Sequence, residues 1–418
     1  MSDLKLTIDL GSTEFKAAIY ADGLRLLAAA GYELSYSRND VKTELPVNTV
    51  QEAFRKVIER VVNAAGVGVK EIDSIGITSQ AQTFALADES GVFLTPFISW
   101  LDMRAVETYK TIPADDFAEH SSLAAILPNM QIAILKHILD ENPGFARKKI
   151  RVVPLPAYLI MLLTGKSVSD NNLAAMSGLF SLKDNAYRQS FLDLLGISGK
   201  NLPEIVEVGS IAGKVKNDNP FGMPAGKAVF SCGNDQTAGA YGAGLQSGDV
   251  LITLGTAQAA YCCCRNMPEP GSVQFRGHYP GGLYYAMFAG TGGGLISKAI
   301  AKIPAFKDFE TFAGLAADAD AGTDAGFYVV NDEPCWSNDG AGLPEKAMAV
   351  LNFLAGEARM VLEKLKPYGN IYVSGGGVKN KIWLKLIESG INKKLIIKDT
   401  SPCYGVAKMI QKKLSNLS

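Results

Sequence analysis

One strand–turn–strand design occurs twice in this sequence, and the repeat narrows the folds open to it. Leu4–Leu10 is an apolar strand ending in Gly11-Ser12-Thr13, and residues 14–20 form its hairpin partner. Residues 249–254 form a second apolar strand, which ends in Gly255-Thr256 and is again followed by an apolar partner at 257–261. Two such units far apart in the chain predict two α/β lobes related by duplication, with a cleft between them. The lobes divide near Gly226, with residues 1–226 in the first and 227–418 in the second. No low-complexity linker separates them, so a broad interface is expected.

Periodicity fills in the lobes. Val50, Phe54, Val57, Ile58, Val61 and Val62 share one helical face across 50–65. Buried strands are expected at 72–78 and 84–88, and helices at 130–139 and 158–163. A short strand at 228–231 leads through Gly233-Asn234-Asp235 into a helix of small residues, 236–241. A long amphipathic helix over 349–365 precedes a strand at 371–374, the triplet Gly375-Gly376-Gly377 and a helix starting near Lys381. A last amphipathic helix spans 400–413. The 42 glycines exceed the usual ~7%, and they cluster where strands end, the common ligand side of α/β folds.

Composition removes several classes of function. Forty-one basic and 42 acidic residues leave a net charge of −1, without the basic excess of a nucleic-acid binder. Hydrophobic residues make up 47% of the chain, too many for a disordered one, yet no apolar run approaches the ~20 residues of a membrane span. The N-terminal Met-Ser-Asp-Leu-Lys runs straight into a strand, with no signal-peptide apolar region. Six cysteines are no disulfide framework. A cytoplasmic protein without nucleic-acid or membrane partners is expected.

A glycine-hydroxyl turn between strands offers N–H groups and hydroxyls to a phosphate with no side chain in the way. Lys16, leaving the first turn, adds positive charge. Asp9, at the end of the first strand, is a costly position for a carboxylate unless it is paired, solvated or holding a metal, and hard divalent cations take oxygen ligands. The two turns together favour a nucleoside triphosphate across the cleft. Asp235 has two readings, a helix N-cap or a base taking a proton from a substrate hydroxyl during phosphoryl transfer. His120, His137 and His278 have no triad or metal spacing, and Cys262-Cys263-Cys264 alternate across a strand, so all six are read as packing or surface residues. There is neither a P-loop nor a Rossmann fingerprint.

In this order the motifs resemble the FGGY carbohydrate kinase family, which has the two-lobed actin-like ATPase (ribonuclease H-like) fold. The carrying segments are Ile8-Asp9-Leu10-Gly11-Ser12-Thr13-Glu14-Phe15-Lys16, Gly76 to Gln82 with Trp100-Leu101-Asp102-Met103-Arg104, Tyr158 to Asp170, Gly233-Asn234-Asp235-Gln236, Leu254-Gly255-Thr256 and Ser374-Gly375-Gly376-Gly377-Val378-Lys379-Asn380. The resemblance implies ATP-dependent phosphorylation of a sugar hydroxyl with Mg²⁺. Asp235 would be the general base, and Asp9 with Asp235 would hold Mg²⁺. Gly11, Ser12, Thr13, Lys16, Gly255, Thr256, Gly290, Gly294, Gly376, Gly377 and Asn380 would bind ATP. Gln80, Gln82, Trp100, Asp235 and Gln236 would line the sugar pocket. Trp100 is alternatively a core aromatic, Asp102 and Arg104 a structural ion pair, and Asn380 also a helix cap.

Departures from the family pattern bear on the substrate. Gln80-Ala81-Gln82-Thr83 stands where xylulokinase-like members have Gln-Met-His-Gly and glycerol kinases an Arg-Glu pair. Ala259 replaces the glycerol kinases' aromatic. Both changes imply a ketose or polyol, xylulose-like or larger, rather than glycerol. A segment before the penultimate helix is cut down to 327–343, which leaves a homodimer open. The alternative function is a non-catalytic sugar or nucleotide sensor on the same fold. Such a sensor need keep neither Asp9 nor Asp235.

Overall fold

A computed structural model describes residues 3–146, 149–320, 324–391, 393–398 and 401–416. Two six-stranded sheets form its centre. The first contains β1 (Leu4–Leu10), β2 (Glu14–Ala21), β3 (Arg25–Glu33), β4 (Ile72–Ser79), β5 (Ser210–Lys214) and β6 (Ala228–Asn234), in the order β5-β6-β4-β1-β2-β3. The second contains β7 (Val250–Leu254), β8 (Ala257–Cys264), β9 (Phe275–Tyr279), β10 (Leu283–Thr291), β11 (Ile371–Ser374) and β12 (Leu395–Ile397), in the order β9-β10-β8-β7-β11-β12. The duplication is visible in the pairing. β3-β2-β1 and β10-β8-β7 are antiparallel, and each continues into two parallel strands, β4-β6 and β11-β12.

The division expected at Gly226 falls too early. β6 lies parallel to β4 in the first sheet, with Val229 and Phe230 fully buried, and the second sheet begins only at Val250. The last helix also returns to the first lobe: Val406, Met409 and Ile410 pack against Phe230, Cys232 and Ala238, and Ala407 against Ala18 and Tyr20. It can lie this close because residue 405 is glycine, where a Cβ would overlap the Ala238 carbonyl. That helix covers Pro402–Ser415; Thr400, where the periodicity starts it, is outside the described residues. The helix expected at 158–163 starts at Leu155 instead, since Pro156 sits in the first turn, where no backbone N–H is needed. Likewise the long helix runs Leu343–Leu365 with Pro344 in its first turn.

Each sheet has its own apolar core, and a third core built on Phe84, Ile98, Met130, Ile134 and Leu179 supports the part of the first lobe that carries Trp100. Among the described residues no helix is long and apolar enough to cross a membrane. The six cysteines are free, four of them buried.

Candidate active site

Sheet register brings the two candidate carboxylates toward one space. Asp9 pairs with Lys16 across the hairpin and with Thr78 on β4. β6 ends beside β4, with Asn234 next to Ser79, and the helix Asp235–Ala243 begins there. The N-cap of that helix is Asn234, whose Oδ1 accepts the Thr237 N–H at 2.8 Å. The cap reading of Asp235 therefore fails. Asp235 is the first helical residue, and its Oδ1 accepts the adjoining Gln236 N–H, at 2.8 Å. Protein crowds it on most sides while part of its surface stays accessible; burial raises its carboxyl above the ordinary range, against the Gln236 N–H and the charge of Lys16. Asp9 is 7% exposed, and burial, then the Asp235 charge, push it up to about 7 against the pull of Lys16. Its Oδ1 has no hydrogen-bond partner among the described residues.

The second glycine turn opens onto a cavity of about 730 Å³. Gly255, Thr256, Gly376, Gly377 and Asn380 all line it, so five candidate ATP residues scattered over more than a hundred positions converge there. Gly375 lets the chain turn into this wall: its φ is +89°, and a Cβ would lie 2.6 Å from the Leu254 carbonyl oxygen. Asn380 Oδ1 accepts the N–H groups of Ile382 and Trp383 at 3.1 and 3.0 Å, so it is a helix cap as well as part of the wall. Gly294 holds the turn from behind, its N–H bonded to Thr256 O at 2.9 Å, and Gly293 does the same to Gly255 O at 2.7 Å. Gly290 is opposite Gln258 on β10 and is not part of the lining. Across the cleft, Ser12 is half-buried and Thr13 and Lys16 are exposed, while the Gly11 carbonyl accepts from Gln80 Nε2 at 3.3 Å.

On the sugar side the side chains divide by what already binds them. Gln80 is buried, and its Oε1 has no hydrogen-bond partner among the described residues. Gln82 adopts φ +70°, and its Oε1 accepts the Gln131 N–H at 3.2 Å, at the start of a helix. Trp100 is 36% exposed, so it is no core aromatic; its carbonyl accepts from Asn129 Nδ2 at 3.0 Å. Asp102 and Arg104 form a bidentate pair at 2.8 and 2.8 Å, with Asp102 fully buried and also accepting the Thr43 N–H. That pair is structural. Gln236 is half-buried beside Asp235. Behind Gln80, Gln82, Gln131 and Ser169 lies a void of about 20 Å³, which has room for a water and not for a sugar.

Comparison with known proteins identifies the lineage. The model for the FGGY family of carbohydrate kinases, N-terminal domain, matches residues 4–242, and that for the C-terminal domain matches 309–409. The chain belongs to the FGGY family of carbohydrate kinases. It is 28% identical over 260 residues to the glycerol kinase of Thermococcus onnurineus, covering 60% of this chain and 52% of that protein. It is 28% identical over 210 residues to the xylulose kinase of Streptomyces rubiginosus, covering 49% and 43%. Its fold matches the crystal structure of a xyloylose kinase from Brucella ovis with a TM-score of 0.87 at 21% identity, over 99% of this chain and 91% of that one. The chain spans about half the length of the curated relatives it matches. The fold is thus the two-lobed actin-like one that the motifs led us to expect.

Several parts of the candidate site escaped motif reading. Phe309, Glu310 and Trp383 line the cavity from helices with no marked motif. Asn234 was legible only as a neighbour of Asp235, although Asn before a helix followed by Thr237 is an ordinary capping pattern. His120 and His137 are engaged with Ser181 and Thr108, and His278 is half-buried; none approaches a metal set, and no cluster of three or more ligating side chains occurs among the described residues.

Proposed function

We propose that this protein transfers the γ-phosphoryl group of ATP to a hydroxyl of a neutral ketose or polyol. The observation that carries the reading is the Asp235 carboxylate: partly accessible, not the cap of its helix, accepting the adjoining Gln236 N–H, and close enough to the buried Asp9 for its charge to act there. Asp235 takes the proton from the substrate hydroxyl, and its raised carboxyl makes it a stronger base than an ordinary aspartate. The freed oxygen bonds to the γ-phosphorus as the bond to the bridging oxygen breaks, and ADP leaves. The backbone of Gly11–Thr13 and of Gly255-Thr256 holds the phosphates from opposite lobes, while the cavity beside Gly376 and Gly377 takes the nucleoside.

The orphaned Asp9 Oδ1 fits a site for Mg²⁺, which takes one or two carboxylates and completes its shell with water and phosphate oxygens. Asp9 and Asp235 would hold it, and the ion when bound neutralises phosphate charge. Gln80, Gln82 and Gln236 provide amides and no charge around the acceptor, which favours neutral hydroxylated substrates. The test is ADP release against a panel of ketoses, aldoses, polyols and glycerol. Turnover confined to one or a few neutral sugars supports the reading, and ADP release at background with all of them overturns it.

A further inference from the structure

The turn that carries Asp235 is gripped by two buried side chains at the start of a short helix, Asn171–Met176. Asp170 caps that helix: its Oδ1 accepts the N–H groups of Asn172 and Leu173 at 3.1 and 3.0 Å. Its Oδ2 accepts from Ser231 Oγ at 2.5 Å and from the Gly233 N–H at 2.9 Å, which holds the end of β6. Asn172 takes over one residue further along. Its Oδ1 accepts the Asn234 N–H at 2.9 Å, and its Nδ2 donates to Thr237 Oγ1 at 2.9 Å. Asp235 lies between those two contacts. The other Nδ2 hydrogen goes to the His278 carbonyl at 2.7 Å.

His278 is on β9, the strand through which the second sheet meets the first lobe. Arg276 of that strand is buried and donates to the carbonyls of Ala118, Glu119 and Ser121 in the first lobe, at 2.6, 2.8 and 3.3 Å. Its backbone N–H donates to Ser122 O at 2.9 Å. Thr237 adds a second link to the second sheet, with its Oγ1 2.7 Å from the Tyr261 hydroxyl. One fully buried amide therefore joins the residues on either side of Asp235 to the strand where the lobes join.

We propose that Asn172 is a positioning residue for Asp235. Its amide ties the Asn234 N–H and the Thr237 hydroxyl to β9, and so sets where the Asp235 carboxylate stands relative to phosphates held by the second lobe. This inference rests on the kinase reading. A displacement of about 1 Å at a reacting group costs roughly 10²-fold in rate, whereas the nucleotide cavity is lined by other elements and should not respond.

The experiment compares Asn172→Asp and Thr237→Val with wild type on the best substrate from the panel. Asn172→Asp keeps the shape and the acceptor for the Asn234 N–H but has no hydrogens for Thr237 and His278. Thr237→Val replaces the hydroxyl by a methyl and so breaks its links to Asn172 and Tyr261. Turnover per folded molecule, sugar KM, ATP affinity and Tm are measured on the same preparations. The expected result is a kcat lower by ~10²-fold for Asn172→Asp and ~3–10-fold for Thr237→Val, with ATP Kd within twofold of wild type. A lowered Tm with kcat per folded molecule unchanged would make Asn172 merely structural and overturns the proposal. So do parallel losses of kcat and ATP affinity. If Asn172→Asp does not fold, Thr237→Val decides alone, and a kcat within twofold of wild type overturns. An inactive wild type removes the kinase reading and this inference with it; active variants beside an active wild type remove this inference only.

Discussion

Burial apart, the strongest influence on the Asp9 carboxyl is the charge of Asp235, and together they raise it to about 7. The two residues come from the end of one strand and the start of one helix, and Lys16 is the cation that opposes the shift at both. Both carboxyls are displaced toward the protonated form chiefly by burial, so a cation bound beside them would lower both.

Asp9 should make metal-free stability fall with pH. Its folded carboxyl titrates near 7 and its unfolded one near 3.8, so between those values the folded protein holds more protons and stability declines as pH rises. Well below pH 3.8 both states are protonated and the effect vanishes. Asp9→Asn should therefore stabilise the metal-free protein at pH 8, by at most about 4 kcal/mol, and by only a small fraction of that at pH 4. Thermal unfolding at the two pH values in chelator decides this. The same variant should lose most Mg²⁺-dependent turnover while keeping metal-free nucleotide binding.

Asp235 and Asn234 should separate cleanly. Asp235→Asn keeps the shape and leaves the cap intact but cannot take the proton, so kcat should fall by ~10²–10⁴-fold with Tm and ATP affinity near wild type. Asn234→Ala removes the cap and should cost about 1–2 kcal/mol of stability. Near-normal kcat in folded Asp235→Asn would remove Asp235 from the mechanism.

Substrate preference should follow the uncharged lining. Five- to seven-carbon ketoses or their reduced forms should exceed glycerol in kcat/KM, and the preferred sugar should be sensitive to epimerisation at single carbons, since sites that hydrogen-bond a hydroxyl can reject analogues lacking it by ~10⁴-fold. Parallel kinetics on epimer pairs and on glycerol check this; a preference for glycerol contradicts it.

Gly377→Ala should weaken nucleotide binding alone. Its Cβ would lie 2.7 Å from both Leu254 Cβ and Trp383 Cζ3, so the cavity wall must shift. ATP Kd should rise about tenfold or more, with sugar affinity unchanged. Calorimetric titration of each ligand separately measures both.

Asp102→Ala should destabilise without disabling. It removes one of the two carboxylates that hold the Arg104 guanidinium, leaving Glu44, and orphans the Thr43 N–H; losing buried charge-assisted hydrogen bonds in this way costs roughly 1–3 kcal/mol. Denaturant unfolding should register the loss, while kcat of the folded fraction stays within a few-fold of wild type.

The local elements were written in the sequence. Leu4–Leu10, the Gly11 and Gly255 turns and the helix face of Val50, Phe54, Val57 and Val61 follow from side-chain periodicity and glycine placement, which act between near neighbours. The duplicated hairpins and the FGGY motifs were legible for the same reason, and with them the candidate residues Asp9, Asp235 and Gly376. Only the tertiary structure decided that β6 belongs to the first sheet and that the last helix packs on it, because strand pairing and helix docking join residues far apart in the chain. It also moved the helix cap from Asp235 to Asn234, a one-residue matter set by backbone dihedrals. The grip of Asn172 on that turn had no local signal at all, since Asn234 and Thr237 are far from it in the chain and His278 belongs to the second sheet.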